Sequence, residues 1–446
     1  MHKILIANRG EIAVRLVRAA RELGIATVQV FSEADRDMLA VRWADEAVAI
    51  GPARATKSYL DPAAILRAAA ETGADAVHPG YGFLSENADF AEAVEAAGLV
   101  FIGPKPETIR QMGDKARART VAKAAGVATV PGSEGRVAGP EAAAGIGFPI
   151  LVKAAAGGGG RGIRVARDAD ELALALGQAG TEARAAFGDG GLYLERFIEG
   201  ARHVEVQVLG DGHDVIHLGE RECSLQRRRQ KVWEESPAVT LPADMREQLC
   251  ASAVRLAKSV GYRGAGTLEY LYDDATREVF FIEMNTRIQV EHPVTEMVTG
   301  IDLVREMIRI ASGERLRFAQ SDVCPRGHAI EVRINAEDPA RNFAPAPGTI
   351  TVIDVPGGPG VRFDTMLFPG CVVPPHYDSL LGKLIVWDEN RPAALARLRR
   401  ALSEMRVEGV PTTISMHAAL ARDPEVAAAA FHTRWLEQWL AINTST

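Results

Sequence analysis

Apolar runs separated by a helical pattern organise the beginning of the chain. Lys3 to Ala7 is an apolar run, and Glu11 to Leu23 carries apolar side chains at helical spacing until Gly24 ends the pattern. Thr27 to Phe31 is the next apolar run. This β-α-β order predicts a doubly wound parallel sheet. The turn at Asn8-Arg9-Gly10 lacks Gly-x-Gly-x-x-Gly, which argues against a dinucleotide site.

A tyrosine between two glycines follows the short strand pattern at Ala76 to His78. The segment Gly80-Tyr81-Gly82 stands at the carboxyl end of that strand, where open α/β sheets bind ligands. A plain strand-to-helix turn, with Ser85 or Asn87 capping the helix, explains the local pattern equally well. Both interpretations stay open on these residues alone.

Four consecutive glycines, Gly157 to Gly160, lie between two strand patterns in the middle of the chain. The first strand ends at Lys153, and the second runs from Gly162 to Ala166. Glycines let backbone N–H groups approach an anion closely, and the lysine adds a positive charge. Gly-Lys-Ser/Thr is absent, so the segment is not a P-loop. A flexible linker is the alternative, but the flanking strands favour a mobile hairpin lid.

Two further features, at separate places in the chain, are compatible with nucleotide binding without requiring it. Leu192 to Ile198 and His203 to Val208 are strand patterns, with a change of direction at Glu199-Gly200. Hinges of this kind commonly hold a purine through backbone hydrogen bonds. Lys115 opens a helical pattern that extends to Ala125, and on its own it is most simply a solvated lysine.

A predicted hairpin concentrates oxygen ligands. Thr267 to Leu271 places Glu269 among apolar neighbours, where a carboxylate is costly unless it is paired or metal-bound. Val279 to Ile282 is a second apolar strand, and Glu283 and Asn285 at its end point to one face. Because a short acidic turn joins the strands, the three side chains should meet. Their oxygens predict a Mg²⁺ site.

Polar residues continue directly after this second strand. Arg287, Gln289 and Glu291 follow at every second position and supply a bidentate cation, an amide and a carboxylate. A small oxyanion beside a metal-bound phosphate needs these groups. A solvated edge strand of mixed charge is the alternative, which we weigh less because the polar run adjoins a core strand.

The last third of the chain predicts a small, mostly antiparallel sheet. Gly327 to Asn335 alternates, so Glu331 and Arg333 share one face of a strand. Further strands and one helix follow at Ile350 to Val355, Cys371 to Val373, Lys383 to Trp387 and, as the helix, Arg391 to Leu402.

Composition narrows the class of protein. The 446 residues are 47% hydrophobic and 24% charged, so we expect two to four globular domains. The net charge of −7 argues against a nucleic-acid surface at the basic run Gln226 to Lys231. No apolar run is long enough for a membrane span, and we expect no signal peptide. Four separated cysteines predict buried free thiols and a cytoplasmic location.

Together these motifs resemble the ATP-grasp superfamily and, within it, the biotin carboxylase family. The resemblance extends to about residue 410. The matching segments are, in chain order, Ile4 to Ile12, His78 to Asn87, the glycine segment, Glu283 to Pro293, Arg333 to Pro339 and Pro374 to Ser379. It implies an ATP-grasp fold of mixed α/β and α+β class. The implied domains are 1–114 (N-terminal, Rossmann-like), 115–312 (ATP-grasp, with a lid subdomain at about 132–203) and 313–446 (C-terminal).

The resemblance also implies ATP-dependent carboxylation of biotin by bicarbonate through carboxyphosphate. The implied Mg²⁺ or Mn²⁺ ligands are Glu269, Glu283 and Asn285. The implied ATP contacts are Lys115, Lys153, Gly159, Gly160, Glu195, Arg196, Phe197, Ile198, His203 and Arg229. The implied bicarbonate pocket is Lys231, Arg287, Gln289 and the Val290 backbone, with Glu291 as base. The implied biotin contacts are Tyr81, Gly82 and Arg333, of which Arg333 stabilises the enolate.

The sequence departs from the family pattern at three places. Arg229 stands where the family usually has His, near the nucleotide ribose, and the departure bears on ATP affinity. Ala155-Ala156 replaces Ser-Gly at the start of the glycine segment, which would stiffen the lid. Thr412-Thr413 replaces Thr-Asn at a helix start.

Partners follow from the same resemblance. Because no Met-Lys-Met biotin-attachment segment is present, we expect a separate biotin carboxyl carrier protein. The resemblance also implies a carboxyltransferase subunit of an acyl-CoA carboxylase and, because the family commonly dimerises, a homodimer. One alternative is another ATP-grasp ligase, which Arg333 and the run Arg287-Ile-Gln-Val-Glu disfavour. The other is a nucleotide-binding regulatory subunit without turnover, for which Arg229 is the sole support.

Overall fold

A five-stranded sheet forms the N-terminal part of the protein. The computed structural model describes residues 1–133, 135–137, 139–154, 163–187 and 190–443. The strands are β1 (Lys3–Ile6), β2 (Ala26–Ser32), β3 (Glu46–Gly51), β4 (Ala76–His78) and β5 (Val100–Phe101). They pair in parallel in the order β3-β2-β1-β4-β5, which confirms the predicted doubly wound sheet. The helices are α1 (Gly10–Glu22), α2 (Leu39–Trp43), α3 (Pro62–Thr72), α4 (Ala88–Ala96) and α5 (Pro106–Gly113).

A smaller three-stranded sheet follows. Helix α6 (Lys115–Ala124) begins where the Asp114 carboxylate accepts hydrogen bonds from the first free N–H groups of the helix. The sheet consists of β6 (Ile150–Ala154), β7 (Ile163–Ala166) and β8 (Leu192–Arg196), with α7 (Ala169–Phe187) packed on it. Strands β6 and β7 are antiparallel, as the predicted hairpin requires. The glycines Gly157 to Gly160, and Ala155-Ala156 before them, lie outside the described residues.

One eight-stranded antiparallel sheet joins the middle of the chain to its C-terminal part. The middle supplies β9 (Arg202–Asp211), β10 (Val215–Arg227), β11 (Gln230–Ser236), β12 (Arg263–Asp273) and β13 (Glu278–Asn285). The C-terminal part of the chain adds three strands to the same sheet. Helices α8 (Ala243–Ser259), α9 (His292–Thr299) and α10 (Leu303–Ala311) belong to the middle segment.

The C-terminal strands are antiparallel, as predicted, but the longest of them extend the central sheet. We label the strands β14 (His328–Asn335), β15 (Glu337–Asp338), β16 (Ala344–Pro345), β17 (Gly348–Thr349), β18 (Val352–Asp354), β19 (Val361–Thr365), β20 (Val372–Val373), β21 (Leu380–Asp388) and β22 (Arg406–Glu408). The sheet order is β13-β12-β9-β10-β11-β14-β21-β19. The expected strands around Ile350 and Cys371 instead form two-stranded ladders, β18 with β22 and β17 with β20. Helices α11 (Arg391–Glu404), α12 (Ile414–Leu420), α13 (Pro424–Ala427) and α14 (Trp435–Asn443) complete the segment.

The two faces of the central sheet bury different partners. Trp233, Ile330 and Leu384 lie on one face in a core shared with α11. Ala329 and Ile385 lie on the opposite face, in a core shared with α9. Because β-strand side chains alternate between faces, β14 and β21 each contribute to both cores.

Strand β13 ends at Asn285, as predicted, and Arg287, Gln289 and Glu291 lie in the connection to α9 and not in the edge strand that was the alternative. One sequence expectation, that of four buried thiols, needs correction. Of the cysteines, all free, Cys324 is exposed, so only the other three are the predicted buried thiols. In the described part of the chain, no helix is both long and apolar enough to cross a membrane.

Candidate active site

The predicted oxygen ligands meet on the β12–β13 hairpin. Its register places Glu269 opposite Glu283, and Asn285 lies two pairs further along, on the same face of the hairpin. The Asn285 amide donates a 2.9 Å hydrogen bond to Glu269 Oε1. Burial and the neighbouring Glu269 carboxylate raise the pKa of Glu283, and the positive charge of Lys115 opposes that rise. The hairpin therefore holds two carboxylates close together without enough positive charge to balance both.

Lys231 joins this hairpin to the predicted base. Its ammonium donates to Glu205 Oε2 at 2.5 Å, to Glu269 Oε1 at 2.9 Å and to Glu291 Oε1 at 2.6 Å. Burial lowers the pKa of Lys231, but these three carboxylates outweigh it and raise the pKa well above its ordinary value. A permanently charged lysine thus sits between the hairpin carboxylates and Glu291.

Glu291 lies between two cations. Besides Lys231, Arg333 Nη2 donates a 3.0 Å hydrogen bond to Glu291 Oε2. Burial raises the pKa of Glu291, but the charge of Lys231, aided by Arg333, more than offsets it and lowers the pKa. Glu291 is consequently ionised at neutral pH and able to accept a proton.

The remaining residues of the predicted pocket are hydrogen-bonded around the same point. Gln289 Nε2 donates to Glu269 Oε1 at 2.8 Å, and Arg287 Nη2 donates to Asn285 Oδ1 at 3.0 Å. Arg287 Nε also donates to Glu86 at 2.9 Å. Burial lowers the pKa of Arg287, but Glu86 outweighs it and raises the pKa.

The backbone of Val290 is fixed from the other side of the pocket. Its carbonyl accepts a 2.8 Å hydrogen bond from Lys383. Lys383 is fully buried on β21 and also lies 3.1 Å from Glu11. Because Lys383 comes from the C-terminal part of the chain, the position of Val290 depends on contacts distant in sequence.

Arg221 is a site residue that the sequence reasoning missed. It is completely buried, and all five of its N–H groups have acceptors. Those acceptors are Glu205 at 2.6 Å, Gln207 at 2.7 Å, Thr295 at 3.0 Å, Thr267 at 3.1 Å and Gln289 Oε1 at 2.9 Å. Because the Gln289 oxygen is held by Arg221, its NH₂ group must point toward Glu269. An arginine inside a strand pattern was the available signal. Glu86, Glu205 and Glu234, which bind the site's cations, were also missed as site residues.

The predicted nucleotide residues are only partly assembled around one point. Lys153 and Arg119 both form ion pairs with Glu195, the latter at 2.7 Å. The N–H groups of Arg196 and Phe197 donate to the carbonyls of Pro131 and Pro149 at 2.8 Å each, and the Ile198 side chain is buried.

The other predicted nucleotide contacts differ in exposure. Lys115 is exposed at the start of α6, and Arg229 is exposed in the turn between β10 and β11. Gly159 and Gly160 lie outside the described residues. His203 instead faces the carboxylates, with Nε2 at 3.2 Å from Glu269 and 3.5 Å from Glu205. Burial lowers the pKa of His203, but Glu269 outweighs it and raises the pKa to about 9.

The predicted biotin turn is anchored to the first strand. Asn8 Nδ2 donates to the Tyr81 carbonyl at 2.7 Å. Gly80 has a φ of +62°, and a Cβ at this position would lie 2.9 Å from Asn8 Nδ2, so only glycine fits. The Tyr81 hydroxyl donates to Glu11, which lies next to Lys383. Gly82 is exposed beside it.

Family models match nearly all of the chain. Residues 1–109 match "Biotin carboxylase, N-terminal domain", residues 114–319 match "Carbamoyl-phosphate synthase L chain, ATP binding domain", and residues 331–438 match "Biotin carboxylase C-terminal domain". The chain is 53% identical over 449 residues to the biotin carboxylase of Pseudomonas aeruginosa, with 99% of each chain covered. It is 55% identical over 428 residues to the biotin carboxylase of Nostoc, covering 95% of this chain and 96% of that protein.

Solved structures give the same result. A biotin carboxylase–β,γ-ATP complex from Campylobacter jejuni superimposes with a TM-score of 0.93 at 47% identity, covering 98% of both chains. The biotin carboxylase domain dimer of the Hydrogenobacter thermophilus 2-oxoglutarate carboxylase, in complex with MgADP, ADP and bicarbonate, has a TM-score of 0.91 at 49% identity. That comparison covers 98% of this chain and 97% of the other.

Proposed function

This chain belongs to the biotin carboxylase family, and from that premise we propose how its residues carry out ATP-dependent carboxylation of biotin by bicarbonate. The enzyme is a ligase that forms a C–N bond on carrier-bound biotin, the first half-reaction of a biotin-dependent acyl-CoA carboxylase. One observation carries the assignment of roles: Glu291 is hydrogen-bonded to both Lys231 and Arg333, and Lys231 is in turn bonded to Glu269. Base, oxyanion-binding cations and metal ligands therefore share one network.

Glu269, Glu283 and Asn285 would hold Mg²⁺ or Mn²⁺. They fit a hard cation because their donors are carboxylate and amide oxygens. The raised pKa of Glu283 beside Glu269 supports the fit, since a divalent cation would allow both carboxylates to ionise. When bound, the ion supplies charge neutralisation to the ATP phosphates during phosphoryl transfer.

Bicarbonate binds to Arg287, Gln289, Lys231 and the Val290 backbone. Glu291 removes the bicarbonate proton, and the resulting anion attacks the γ-phosphorus of ATP to give carboxyphosphate and ADP. The lowered pKa of Glu291 supports this role, because the group must be ionised before it can accept a proton.

Biotin is carboxylated after carboxyphosphate breaks down to CO₂ and phosphate. The phosphate takes the ureido N–H proton, and Arg333 stabilises the enolate oxyanion that forms. Tyr81 and Gly82 line the approach of biotin. The bonds from Tyr81 to Glu11 and from Lys383 to Val290 support this arrangement, since they connect the turn to the pocket.

We place three domains in the chain: an N-terminal domain at 1–114, an ATP-grasp domain at 115–312 and a C-terminal domain at 313–446. The ATP-grasp domain includes a lid at about 132–203, and its residues hold ATP. The proposed contacts are Lys115, Lys153, Gly159, Gly160, Glu195, Arg196, Phe197, Ile198, His203 and Arg229. The bonds of Lys153 to Glu195 and of Phe197 to Pro149 support a preformed hinge.

The partners are a biotin carboxyl carrier protein and a carboxyltransferase subunit, and the enzyme works as a homodimer in the cytoplasm. The 53% identity to the Pseudomonas aeruginosa biotin carboxylase supports a biotin carrier protein as partner. The dimeric Hydrogenobacter thermophilus domain supports the dimer.

Phosphate release from ATP tests the function. The purified protein is assayed with and without bicarbonate, and with and without free biotin. We expect bicarbonate-dependent hydrolysis that free biotin stimulates. Turnover that ignores biotin would indicate another ATP-grasp ligase, and ATP binding without hydrolysis would indicate a regulatory subunit. Arg246→Gln is a matched control, because Arg246 pairs with Glu220 away from this network.

A further inference from the structure

Two glutamates face each other behind Arg333. Glu234 on β11 and Glu331 on β14 are directly opposite in the antiparallel register, so their side chains lie on the same face of the sheet. Both side chains are fully buried. Arg333 follows Glu331 by two residues and shares this face. The two carboxyl groups and the Arg333 guanidinium therefore lie together on this face of the sheet.

Three oxygens of this pair have no hydrogen-bond partner among the described residues. They are Glu234 Oε2 and both carboxylate oxygens of Glu331. A buried carboxylate without hydrogen bonds is strongly disfavoured when it is charged. Two adjacent buried carboxylates also repel each other, so they do not both ionise readily. The geometry calls for a proton on one of them.

The surrounding cations decide which glutamate holds that proton. Arg333 donates to Glu234 Oε1 through Nε at 2.7 Å and approaches it through Nη2 at 2.6 Å, so Glu234 is the favoured anion. Lys383 is the other cation close to Glu331, but its ammonium donates to the Val290 carbonyl and pairs with Glu11. Glu331 is thus the member of the pair without a bonded cation.

We propose that Glu331 is a neutral acid that shares its proton with Glu234 and thereby acts as a positioning residue for Arg333 in biotin carboxylation. The proton lies between the two carboxyl groups and satisfies two of the three unpartnered oxygens. Arg333 then rests on one negative charge instead of two, which leaves its guanidinium free to face the enolate. The role rests on the proposed function, since it acts through Arg333.

The charged and titratable groups around Glu331 are consistent with this assignment. They are Glu234 on β11, Arg333 on β14, Lys383 on β21, and Glu291 and His292 at the start of α9, with Glu11 of α1 behind Lys383. Burial raises the pKa of Glu331 well above its ordinary value, and Lys383 only partly opposes it. Burial raises the pKa of Glu234 to about 7 despite Arg333. Glu234 therefore ionises first, and Glu331 loses its proton to water only at higher pH.

Because Glu331 ionises only at high pH, the carboxylation of biotin should slow when the pH rises into the alkaline range. When Glu331 ionises, a second negative charge draws the guanidinium of Arg333 back toward the sheet. Stabilisation of the enolate weakens, and biotin-stimulated turnover falls. Hydrolysis of ATP with bicarbonate alone falls less, because it does not need Arg333 to face biotin.

The test compares wild type with Glu331→Gln, whose amide is a neutral substitute of nearly the same shape. We measure the ratio of biotin-stimulated to biotin-independent ATP hydrolysis, both with saturating bicarbonate, across the alkaline range. The wild-type ratio should fall with pH, whereas the Glu331→Gln ratio should stay level. Glu222→Gln is the matched control, because burial also raises the pKa of Glu222, to about 7, yet Glu222 bonds to Ser224 and not to Arg333. Its ratio should fall as in wild type.

Removing the anion itself should have a larger effect. Glu234→Gln deprives Arg333 of a charge-assisted hydrogen bond, and the ratio should drop about 10- to 100-fold at neutral pH. An identical alkaline fall of the ratio in wild type and Glu331→Gln would overturn the proposal. So would a Glu234→Gln enzyme with an unchanged ratio.

Infrared difference spectroscopy decides the protonation state without any turnover. The spectrum of wild type minus Glu331→Gln at neutral pH should contain the carbonyl stretch of a protonated carboxylic acid. Its absence would overturn the proposal even if Glu331→Gln folds poorly or has altered activity. If biotin fails to stimulate hydrolysis in wild type while the band is present, the proposed function fails and the shared proton stands.

Discussion

Glu234 and Glu235 are consecutive residues of β11 that point to opposite faces of one sheet, and they differ in the number of hydrogen bonds that their carboxylates accept. Glu235 accepts hydrogen bonds from Arg391 Nε at 2.6 Å, Arg391 Nη2 at 2.8 Å, Trp233 Nε1 at 2.8 Å and His328 Nε2 at 2.9 Å. Glu234 has Arg333 as its partner, and its second oxygen has no partner among the described residues.

The electrostatics of the two carboxylates diverge accordingly. Burial raises the pKa of Glu235, but Arg391 and His328 outweigh it and lower the pKa below its ordinary range. Burial raises the pKa of Glu234 to about 7, because Arg333 alone does not compensate for it. At Glu235, the face packed against α11 pairs a buried charge fully, which is how a protein stabilises a fold. At Glu234, the face toward α9 leaves an oxygen unsatisfied and a cation shared, which is typical of a functional site.

The largest expected effect lies on the functional face. Glu291→Gln removes the proposed base, so bicarbonate-dependent phosphate release should fall about 10²- to 10⁴-fold. ATP affinity, measured by titration calorimetry, should stay nearly unchanged, because Glu291 is bonded to Lys231 and Arg333 and not to the proposed nucleotide residues. Parallel losses of ATP binding and turnover would remove its role as base.

The stabilising face should respond in the opposite way. Glu235→Gln leaves Arg391 buried without its counter-charge, and we expect a loss of about 3–5 kcal/mol in the free energy of unfolding. The ratio of biotin-stimulated to biotin-independent hydrolysis should be unchanged for the folded fraction. Denaturant unfolding beside the turnover assay measures both quantities. An equal loss of stability in Glu234→Gln, the neighbouring control, would contradict the contrast between the faces.

Arg221 tests whether a fully hydrogen-bonded buried cation can also contribute to function. Lysine cannot reproduce its five fixed bonds, so Arg221→Lys should release the Gln289 amide and raise the Michaelis constant for bicarbonate about 10-fold. The constant for ATP should change much less. Arg246→Lys, which alters the bond to Glu220 outside the pocket, is the matched control. Equal changes in both constants would reduce Arg221 to a folding residue.

The pH dependence of stability should have opposite signs at the two glutamates. Glu235 has a lowered pKa, so its stabilisation exists above the ordinary pKa of 4.5 and is lost as pH falls. Glu234 has a pKa raised from 4.5 to about 7, so burying it becomes less favourable as pH rises through that interval. Melting temperatures of wild type, Glu234→Gln and Glu235→Gln, measured from about pH 3 to about pH 8, give the differences. Differences of the same sign would break the comparison.

The smallest effect is expected at a residue that belongs to neither face. Arg229 is exposed in the β10–β11 turn with a φ of +64°, a conformation that histidine also tolerates. Arg229→His should change the Michaelis constant for ATP by about threefold or less. A larger change would show that the departure from the family pattern alters nucleotide binding.

Much of the architecture was predictable because its signals are local. The parallel N-terminal sheet followed from the β-α-β order, and the β12–β13 hairpin followed from two apolar strands around a short turn. That hairpin brought Glu269 and Glu283 together as predicted. The end of β13 at Asn285 also agrees with the prediction, and the polar alternation after it lies in the connection to α9 and not in an edge strand.

Other features depend on residues far apart in sequence. Arg221 bonds to Gln289 across 68 residues and Lys383 to Val290 across 93, and no local pattern indicates such pairs. The C-terminal strands join the central sheet because β14 pairs with β11. The backbone groups at the edge of a strand can bond to any other strand, so the sequence does not indicate this partner.

The sequence by itself determined which side chains can do chemistry and on which strands they stand, because strand and turn patterns act over a few residues. Only the tertiary structure decided the charge state of each carboxylate. Glu234 and Glu235 are identical in type and adjacent in the chain, yet burial and the number of cations within hydrogen-bond reach give them opposite pKa shifts. Desolvation and Coulomb interactions depend on three-dimensional neighbours, which a one-dimensional pattern does not contain.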